Sequence, residues 1–582
     1  MQVPSINYVI TAAVKTVVRF PLVVACALIG TITAIFAIEN MGDELVKQKV
    51  MMCASLGLTA FLSFSLWNSY YKVRILYSWL VGLTITAMLA CYYWSLGSKI
   101  SELEGIRFFV LNVSLHLLVS FVLFLNNKHI DDFWNFNKNL FIRVFVSGLY
   151  SVTLILGLNF AVLAIDNLFN AEINERIYGE IPVLVLGLFN TLFFLNGIPK
   201  NDELNTTLDY PKGLKSFTQF VLVPLVIIYL LILLTYETKI LILFDLPKGW
   251  VSSLILVFSV LGILAMLLVY PLRNLEENKW IKQLWKWYFI LLLPLLGLLY
   301  WAIIYRVNTH GITVERYYVL LLAIWLTGLT LYSIFKANYH IKVIPISLAL
   351  VGLFSLYGPQ SASNVSKYSQ LGRLKLLLEN HEKSPLNFED KKSITSVVDY
   401  IKDNFGAEEL NAYFPDAFNK DVDLKSITVQ AILESKGIEY VGRYESEKSA
   451  NADQILQVSA SIANELYDLP DANYHWRFEI QDVKNEERTI KGSIENVVTE
   501  WKENKLLVHY KNNTLSIDLS KFIKNMKTNR PVYSNDELTF FVQDEECEVT
   551  CIIKHLSVNK LLNSASFDLE ELEADFYMKI KQ

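Results

Sequence analysis

Apolar residues run in long unbroken stretches over the first 357 positions of this chain and in short, interrupted patterns afterwards. About 18 apolar residues with few charges, wound as a helix at 1.5 Å per residue, are enough to cross a ~30 Å hydrocarbon layer. Eleven such segments are predicted, near residues 20–38, 50–71, 75–98, 108–125, 144–165, 181–199, 217–236, 250–270, 287–305, 317–335 and 343–357. The plainest runs from Val144 to Ile165, 22 residues without a charge. The last is the shortest, with 15 residues between Lys342 and Gly358, and reads as a short span or an interfacial helix. The first is long for the core of a cleaved signal, and no small-residue cleavage pattern follows it before Asn40. It is therefore expected to be a retained span.

Past Tyr357 the period shortens. Gly358-Pro359-Gln360-Ser361 reads as the exit from the bilayer. Residues 366–382 place Leu371, Leu374 and Leu378 on one helical face. Asn387 or Glu389 opens a second helix, in which Ile394, Val397, Val398 and Ile401 recur before Gly406. A third helix is predicted over 423–436, closed by Gly437. Strands then follow at 438–444, 455–462, 474–481, 506–511 and 514–519, with Asn512-Asn513 as a tight turn between the last two. Further strands are expected at 538–543, 547–553 and 572–580. The predicted fold is an α-helical polytopic membrane bundle of about 11 transmembrane helices over 1–357, followed by an α+β extramembrane domain over 358–582.

Charge sharpens this division. Residues 1–357 hold 25 Lys+Arg against 19 Asp+Glu, and residues 358–582 hold 27 against 38. Overall 53% of residues are hydrophobic and 19% charged, below the roughly 25% charged of an ordinary soluble domain. A single soluble domain, a disordered chain and a disulfide-stapled scaffold are excluded. With a net charge of −5 and no strongly basic tract, nucleic acid is not an expected partner. Cys547 and Cys551, four apart on one strand at roughly 13 Å, are too distant for a disulfide, so buried thiols are expected.

Lys and Arg in the connections set the orientation. With the N-terminus inside, 16 of them fall on the cytoplasmic side and 9 on the other. Eleven crossings then carry the acidic last third outside. The expected topology is multi-pass, with the N-terminus cytoplasmic and the C-terminal domain extracytoplasmic.

Motifs for catalysis are missing. There is no H-E-x-x-H, C-x-x-C, phosphate-binding G-x-x-x-x-G-K-[ST] or G-x-S-x-G, and the eight histidines are scattered. No metal or cofactor is expected, and the reading leans against an enzyme. Polar residues inside apolar helices are the stronger signal, because desolvating them is costly. Asn112, His116 and Ser120 share one face of the fourth span, and Asn159 and Asp166 one face of the fifth. They form either a solvated intramembrane path or interhelical hydrogen bonds, and the second reading is preferred. The polar connection holding Arg306, His310 and Arg316 has the chemistry to grip a lipid or polyprenyl phosphate through guanidinium contacts. Its rival is helix capping, Arg–Glu pairing and headgroup anchoring by Tyr317 and Tyr318. Glu39, Asp43 and Glu44 lie in the first outer loop. Acidic residues there, many spans and an outer domain are similar to multi-span lipid-linked glycosyltransferases, but the loop is short and reads better as solvated.

Two strings carry a more specific likeness. One is Arg306-Val-Asn-Thr-His310-Gly311-Ile-Thr313-Val-Glu315-Arg316-Tyr317-Tyr318, followed by a span and Ile344-Pro345. The other runs from Gly358-Pro359-Gln360-Ser361 through Ser366 to Ser369-Gln370-Leu371-Gly372-Arg373-Leu374. Together they resemble the bacterial family of polytopic membrane proteins known as domain of unknown function 4153. The resemblance implies a multi-span envelope protein and carries no activity, substrate or catalytic residue with it. The leading functional expectation is an integral envelope protein whose outer domain binds a partner or ligand. Its expected partners are membrane lipids and envelope proteins reached through 358–582. The alternatives are a transporter or lipid flippase using the polar helix faces, and a glycosyltransferase-like membrane enzyme.

Overall fold

The computed structural model describes residues 6–126, 129–200, 210–243, 251–274, 279–336, 340–381, 385–418, 427–442, 455–462, 472–481, 492–494, 497–502, 505–511, 513–525, 532–533, 536–561 and 567–581. The chain divides into two compact units, Met1–Tyr440 and Val441–Gln582. The polar helices that follow Gly358 thus belong to the same unit as the apolar bundle.

In the first unit an amphipathic helix, α1 (Ile6–Arg19), is separated from α2 (Pro21–Ile38) at a proline. Then follow α3 (Glu44–Tyr71), α4 (Ile75–Ser95), α5 (Glu102–Phe121) and α6 (Ile130–Phe169). The next span is α7 (Ile177–Leu184) joined to α8 (Thr191–Asn196) through a π-turn, and the one after it is α9 (Lys212–Phe217) continuing into α10 (Val223–Leu243). The bundle closes with α11 (Val251–Val269), α12 (Lys279–His310), α13 (Val314–Phe335) and α14 (Val343–Phe354). Helix starts follow local chemistry. Asp43 caps α3 by accepting from the Val46 amide at 3.0 Å, and Ser101 and Glu104 form a capping box on α5.

Among the described residues ten helices are long and apolar enough to cross a membrane, and the protein is a multi-pass membrane protein. The eleventh, α14, has 12 residues, or about 18 Å of helix. Its flanking residues extend its reach. Lys342 lies 5.7 Å from the Phe124 ring at the far end of α5, and Ser355 donates to Tyr318 at the start of α13 (3.4 Å). Three residues before Ser355, Gly352 passes so close to α5 that a Cβ there would fall 2.6 Å from Ser114 Oγ. Residues 342–355, about 20 Å of chain as a helix, therefore run beside the C-terminal half of α5 and reach the start of α13.

One apolar core joins α2, α3, the α5–α6 connection and α10–α14, with Ile255, Leu292, Leu295, Leu299 and Ala323 fully enclosed. α4 has no buried residue, and the second half of α6 is exposed on nearly every side. Both are apolar all round, which suits surfaces that meet lipid. Beyond α14, helices α15 (Ala362–His381) and α16 (Phe388–Phe405) pack through Leu374, Leu378, Ile394, Val397, Val398 and Ile401. Asn387 caps α16 and Gly406, at φ +95°, ends it. The third predicted helix is shorter than expected, α17 (Val429–Glu434), with residues 419–426 outside the described set. The strand predicted at 438–444 is not formed over its described part. Ile438 instead caps α17, its amide donating to Leu433 O at 3.0 Å while its side chain fills the helical core.

The second unit holds two sheets around one core. The larger contains β1 (Ile455–Ile462), β2 (Tyr474–Gln481), β7 (Val532–Tyr533), β8 (Thr539–Gln543), β9 (Cys547–Leu561) and β10 (Phe567–Ile580). Its order is β2-β10-β9-β1-β7, with β8 also on β9, and its pairings are antiparallel except β1 with β7. The smaller is an antiparallel meander of β3 (Gly492–Ile494), β4 (Val497–Lys502), β5 (Lys505–Tyr510) and β6 (Asn513–Asp518). Tyr510 pairs with Asn513, so Asn513 belongs to β6 and not to the turn, and Lys511 takes the left-handed φ of +52°. Trp476 Nε1 on β2 donates to Thr499 Oγ1 on β4 (2.9 Å), tying the sheets together. Cys547 and Cys551 are buried free thiols.

Candidate functional site

The two strings singled out in the sequence meet at one place, the elbow between α12 and α13. Gly311 makes the elbow possible. Its φ is +72°, which only glycine adopts without strain, and a Cβ there would lie 2.8 Å from Gln370 Nε2. Thr313 then caps α13 by accepting from the Arg316 amide (3.4 Å).

α15 and α16 clamp this elbow with side chains on helical spacing. Gln370 Nε2 donates to His310 O and Ile312 O, both at 3.1 Å, and Ser369 Oγ accepts from the Ile312 amide at 2.9 Å. Ser366 Oγ donates to Ile312 O (3.1 Å), so the 2.8 Å contact between Ser366 and Tyr400 has the Tyr400 hydroxyl as donor. That hydroxyl in turn accepts from the Val314 amide at 2.9 Å. Tyr317 donates to Gln360 O at 2.7 Å. The elbow's backbone is thus satisfied by side chains and can sit half-buried without orphaned polar groups.

The charge is what remains. Arg316 Nη1 reaches back to His310 O (3.1 Å) and Gly311 O (2.8 Å), closing the C-terminus of α12. Capping, one of the two sequence-level readings, is therefore present. It uses one nitrogen of the guanidinium. Arg373, one turn after Gln370 on α15, stands near enough to Arg316 to be repelled by it. Burial, and then Arg316, lower its pKa from the ordinary arginine value, yet a guanidinium stays charged. Arg306 and His310 belong to the same electrostatic cluster. Among the described residues neither Arg316 nor Arg373 forms an ion pair with a carboxylate. Glu315 offsets part of the charge on Arg316. Two half-buried guanidiniums that repel one another, neither in an ion pair among the described residues, have the chemistry to contact a planar or tetrahedral anion.

The other predicted residues are dispersed. Asn112 donates to Ser55 Oγ on α3 at 2.8 Å, an interhelical bond, while His116 contacts only its own helix at Asn112 O (2.8 Å) among the described residues. Asp166 accepts from the Ile173 amide (3.0 Å) and closes the end of α6. Asn159 Oδ1 is buried without a partner among the described residues. Asn112 and His116 on α5 and Asn159 and Asp166 on α6 do not converge. The acids of the first outer loop are engaged: Glu39 pairs with Arg176 (2.9 Å), Asp43 caps α3, and Glu44 pairs with Lys47 (2.9 Å). Hydrogen bonds from Glu180 and then Arg176 hold Glu39 below the usual carboxylate range. Among the described residues no group of three or more His, Cys, Asp or Glu is placed to hold a metal.

The elbow and the α15 side of its clamp lie in the stretch where a family model matches. That model, described as a domain of unknown function (DUF4153), covers residues 50–381. The chain belongs to the DUF4153 family. The match ends at the last residue of α15, so the DUF4153 region holds Arg306, His310, Gly311, Arg316, Gln370 and Arg373, whereas Tyr400 and the second unit lie beyond it. A relative, an uncharacterised protein of Pasteurella multocida (strain Pm70), is 26% identical over 308 residues, 51% of this chain and 50% of its own length. The chain thus spans about half the length of the curated relative it matches. No solved structure matches this DUF4153 protein.

Proposed function

We propose that this DUF4153 protein resides in the bacterial inner membrane and holds the phosphate of an anionic lipid at the α12–α13 elbow. The observation that carries the reading is the Arg316–Arg373 pair, half-buried and without a carboxylate partner among the described residues, at the end of two spanning helices. Headgroup phosphates lie at that level, and guanidiniums bind them bidentately. Sidedness is part of the proposal. Sixteen cationic residues against nine favour an internal N-terminus, and the reach of α14 along α5 supports an eleventh crossing. The elbow and residues 358–582 then face outward, where the second unit serves as a binding module for envelope partners. The edge position of β2 in the larger sheet suits such a role.

The test separates binding from structure. Arg373 makes no hydrogen bond among the described residues, so Arg373→Gln is expected to leave the melting temperature of the detergent-solubilised protein unchanged. It is expected to reduce the extra stabilisation given by dioctanoyl phosphatidylglycerol over dioctanoyl phosphatidylcholine. Arg316→Ala, in contrast, lowers stability without any lipid by about 1–3 kcal/mol, because two carbonyls lose a charged donor. Equal stabilisation by the two lipids, or a full phosphatidylglycerol effect in Arg373→Gln, contradicts the proposal.

A further inference from the structure

α1 is not one of the spanning helices, yet it is fixed to the edge of the bundle. Its 14 residues are too few and too polar to cross a membrane, with Asn7, Thr11, Lys15, Thr16 and Arg19 among them. α2 already supplies a crossing by itself, with 18 apolar-rich residues, or about 27 Å of helix. The two helices part at Phe20, whose backbone leaves the helical region at φ −130° and ψ 54°, and Pro21 opens α2. Phe20 is buried in the apolar core, so the end of α1 is held where a spanning helix begins.

Polar contacts hold α1 to a second span at the same place. Arg19 donates to Ile198 O (2.8 Å) and Pro199 O (2.9 Å), just past the end of α8. The buried Thr16 hydroxyl lies 3.4 Å from Oδ1 of Asn196, the last residue of α8. The face opposite Thr16 is bare among the described residues. Ile10, Val14, Val17 and Val18 recur on it at helical spacing and are all exposed, Val18 by 75%. Thr11, at the edge of this face, turns its hydroxyl to Asn7 O of its own helix at 2.7 Å. α1 carries Lys15 and Arg19 but no acid, and no acid precedes Glu39 in the sequence. An apolar stripe flanked by cations, tied to two spans where they end, has the make-up of a helix that lies in the headgroup layer.

We infer that α1 binds the bilayer surface on the side where α2 begins, lying in the membrane plane with Ile10, Val14, Val17 and Val18 among the acyl chains. Lys15, off the apolar stripe, faces the phosphates and water. The partner is the lipid surface itself, and Arg19 and Thr16 join this contact to the end of α8. The inference is independent of the elbow.

The experiment uses the full chain in vesicles of phosphatidylcholine and phosphatidylglycerol, in a cysteine-free background. A nitroxide is attached to single cysteines introduced by Ile10→Cys, Val14→Cys, Lys15→Cys or Val18→Cys. Collisions with oxygen, which concentrates among acyl chains, and with a water-soluble nickel chelate report the depth of each label. The three apolar positions are expected to favour oxygen at similar depths, and Lys15→Cys to favour nickel. Adding Val14→Asp, at an exposed position, shifts Ile10→Cys and Val18→Cys toward nickel, because a carboxylate among acyl chains is costly. Nickel favoured at all four positions would put the stripe in water and overturn the inference. Labels shielded from both reagents would mean a protein surface covers the stripe, which overturns lipid as the partner. A depth that increases steadily from Val18→Cys to Ile10→Cys would mean that α1 runs into the bilayer, and overturns the in-plane placement. Collision ratios unmoved by Val14→Asp overturn the inference as well.

Discussion

Gly262→Val is expected to destabilise the membrane unit by about 3 kcal/mol, near the upper end for overpacking a core. Gly262 lies on α11 where it crosses α12, and a Cβ there would meet Tyr288 Oη at 2.2 Å and its ring carbons at 2.5 Å. Tyr288 has nowhere to go. It is 1% exposed, its hydroxyl donates to Ser259 O at 3.1 Å, and Phe289 meets its ring edge-on at 5.1 Å. Gly297→Ala on α12 is the control. Nothing lies within 4 Å of its added methyl, so the helix gains up to about 1 kcal/mol in propensity. Thermal or SDS unfolding of the purified protein compares the two, and equal stabilities would mean that α11 and α12 do not pack closely at this point.

The second large effect falls in the β unit. Phe576→Ala removes a fully buried ring that stacks on Trp476 at 5.3 Å and meets Phe478 edge-on at 6.4 Å. Truncations of this kind cost about 3–5 kcal/mol. The loss reaches both sheets, because Trp476 carries the hydrogen bond to Thr499. Limited proteolysis of the full chain is expected to open 441–582 faster in this variant while the helical unit resists as before. Unchanged protection of 441–582 would show that the stack is not central to its core.

The long apolar runs were legible because a spanning helix needs length and lack of charge, and both are visible in a string of letters. α14 was the marginal case for the same reason: its 12 helical residues fall short, and only its neighbours show how far 342–355 reach. Strands with clean alternation, such as Leu506–Tyr510, were equally readable. β4 was missed because Thr499, a polar residue, occupies an inward position. It is buried only because Trp476 supplies a donor, and a partner 23 residues away is invisible to local pattern. The turn before β6 was placed one residue late, since lysine gives no local signal for the left-handed conformation that Lys511 adopts.

The elbow was half legible. Arg306, His310 and Arg316 stood out as charge between two spans. Arg373 did not, because an arginine on an amphipathic helix looks like any solvated face until α15 is laid against α13. The spacing of Ser366, Gln370 and Arg373 at i, i+4 and i+7 was the available clue. Asn112 and His116 stayed open between two readings for the opposite reason. Their common face is real, yet one bonds to α3 and the other to its own helix, and helical spacing alone does not tell a packing face from a path.

We propose that α14 crosses the membrane, so that the elbow, its clamp and the residues after it lie outside the cell. The most direct measurement is labelling by a membrane-impermeant maleimide, in intact cells, of a single cysteine introduced by Lys375→Cys in a cysteine-free background. Lys375 lies on α15 with its side chain 65% exposed, and Lys72→Cys, between α3 and α4, reports the opposite side. The account predicts that Lys375→Cys is labelled in intact cells and Lys72→Cys only after the membrane is opened. Labelling of Lys375→Cys only after opening would put the elbow inside and contradict the account.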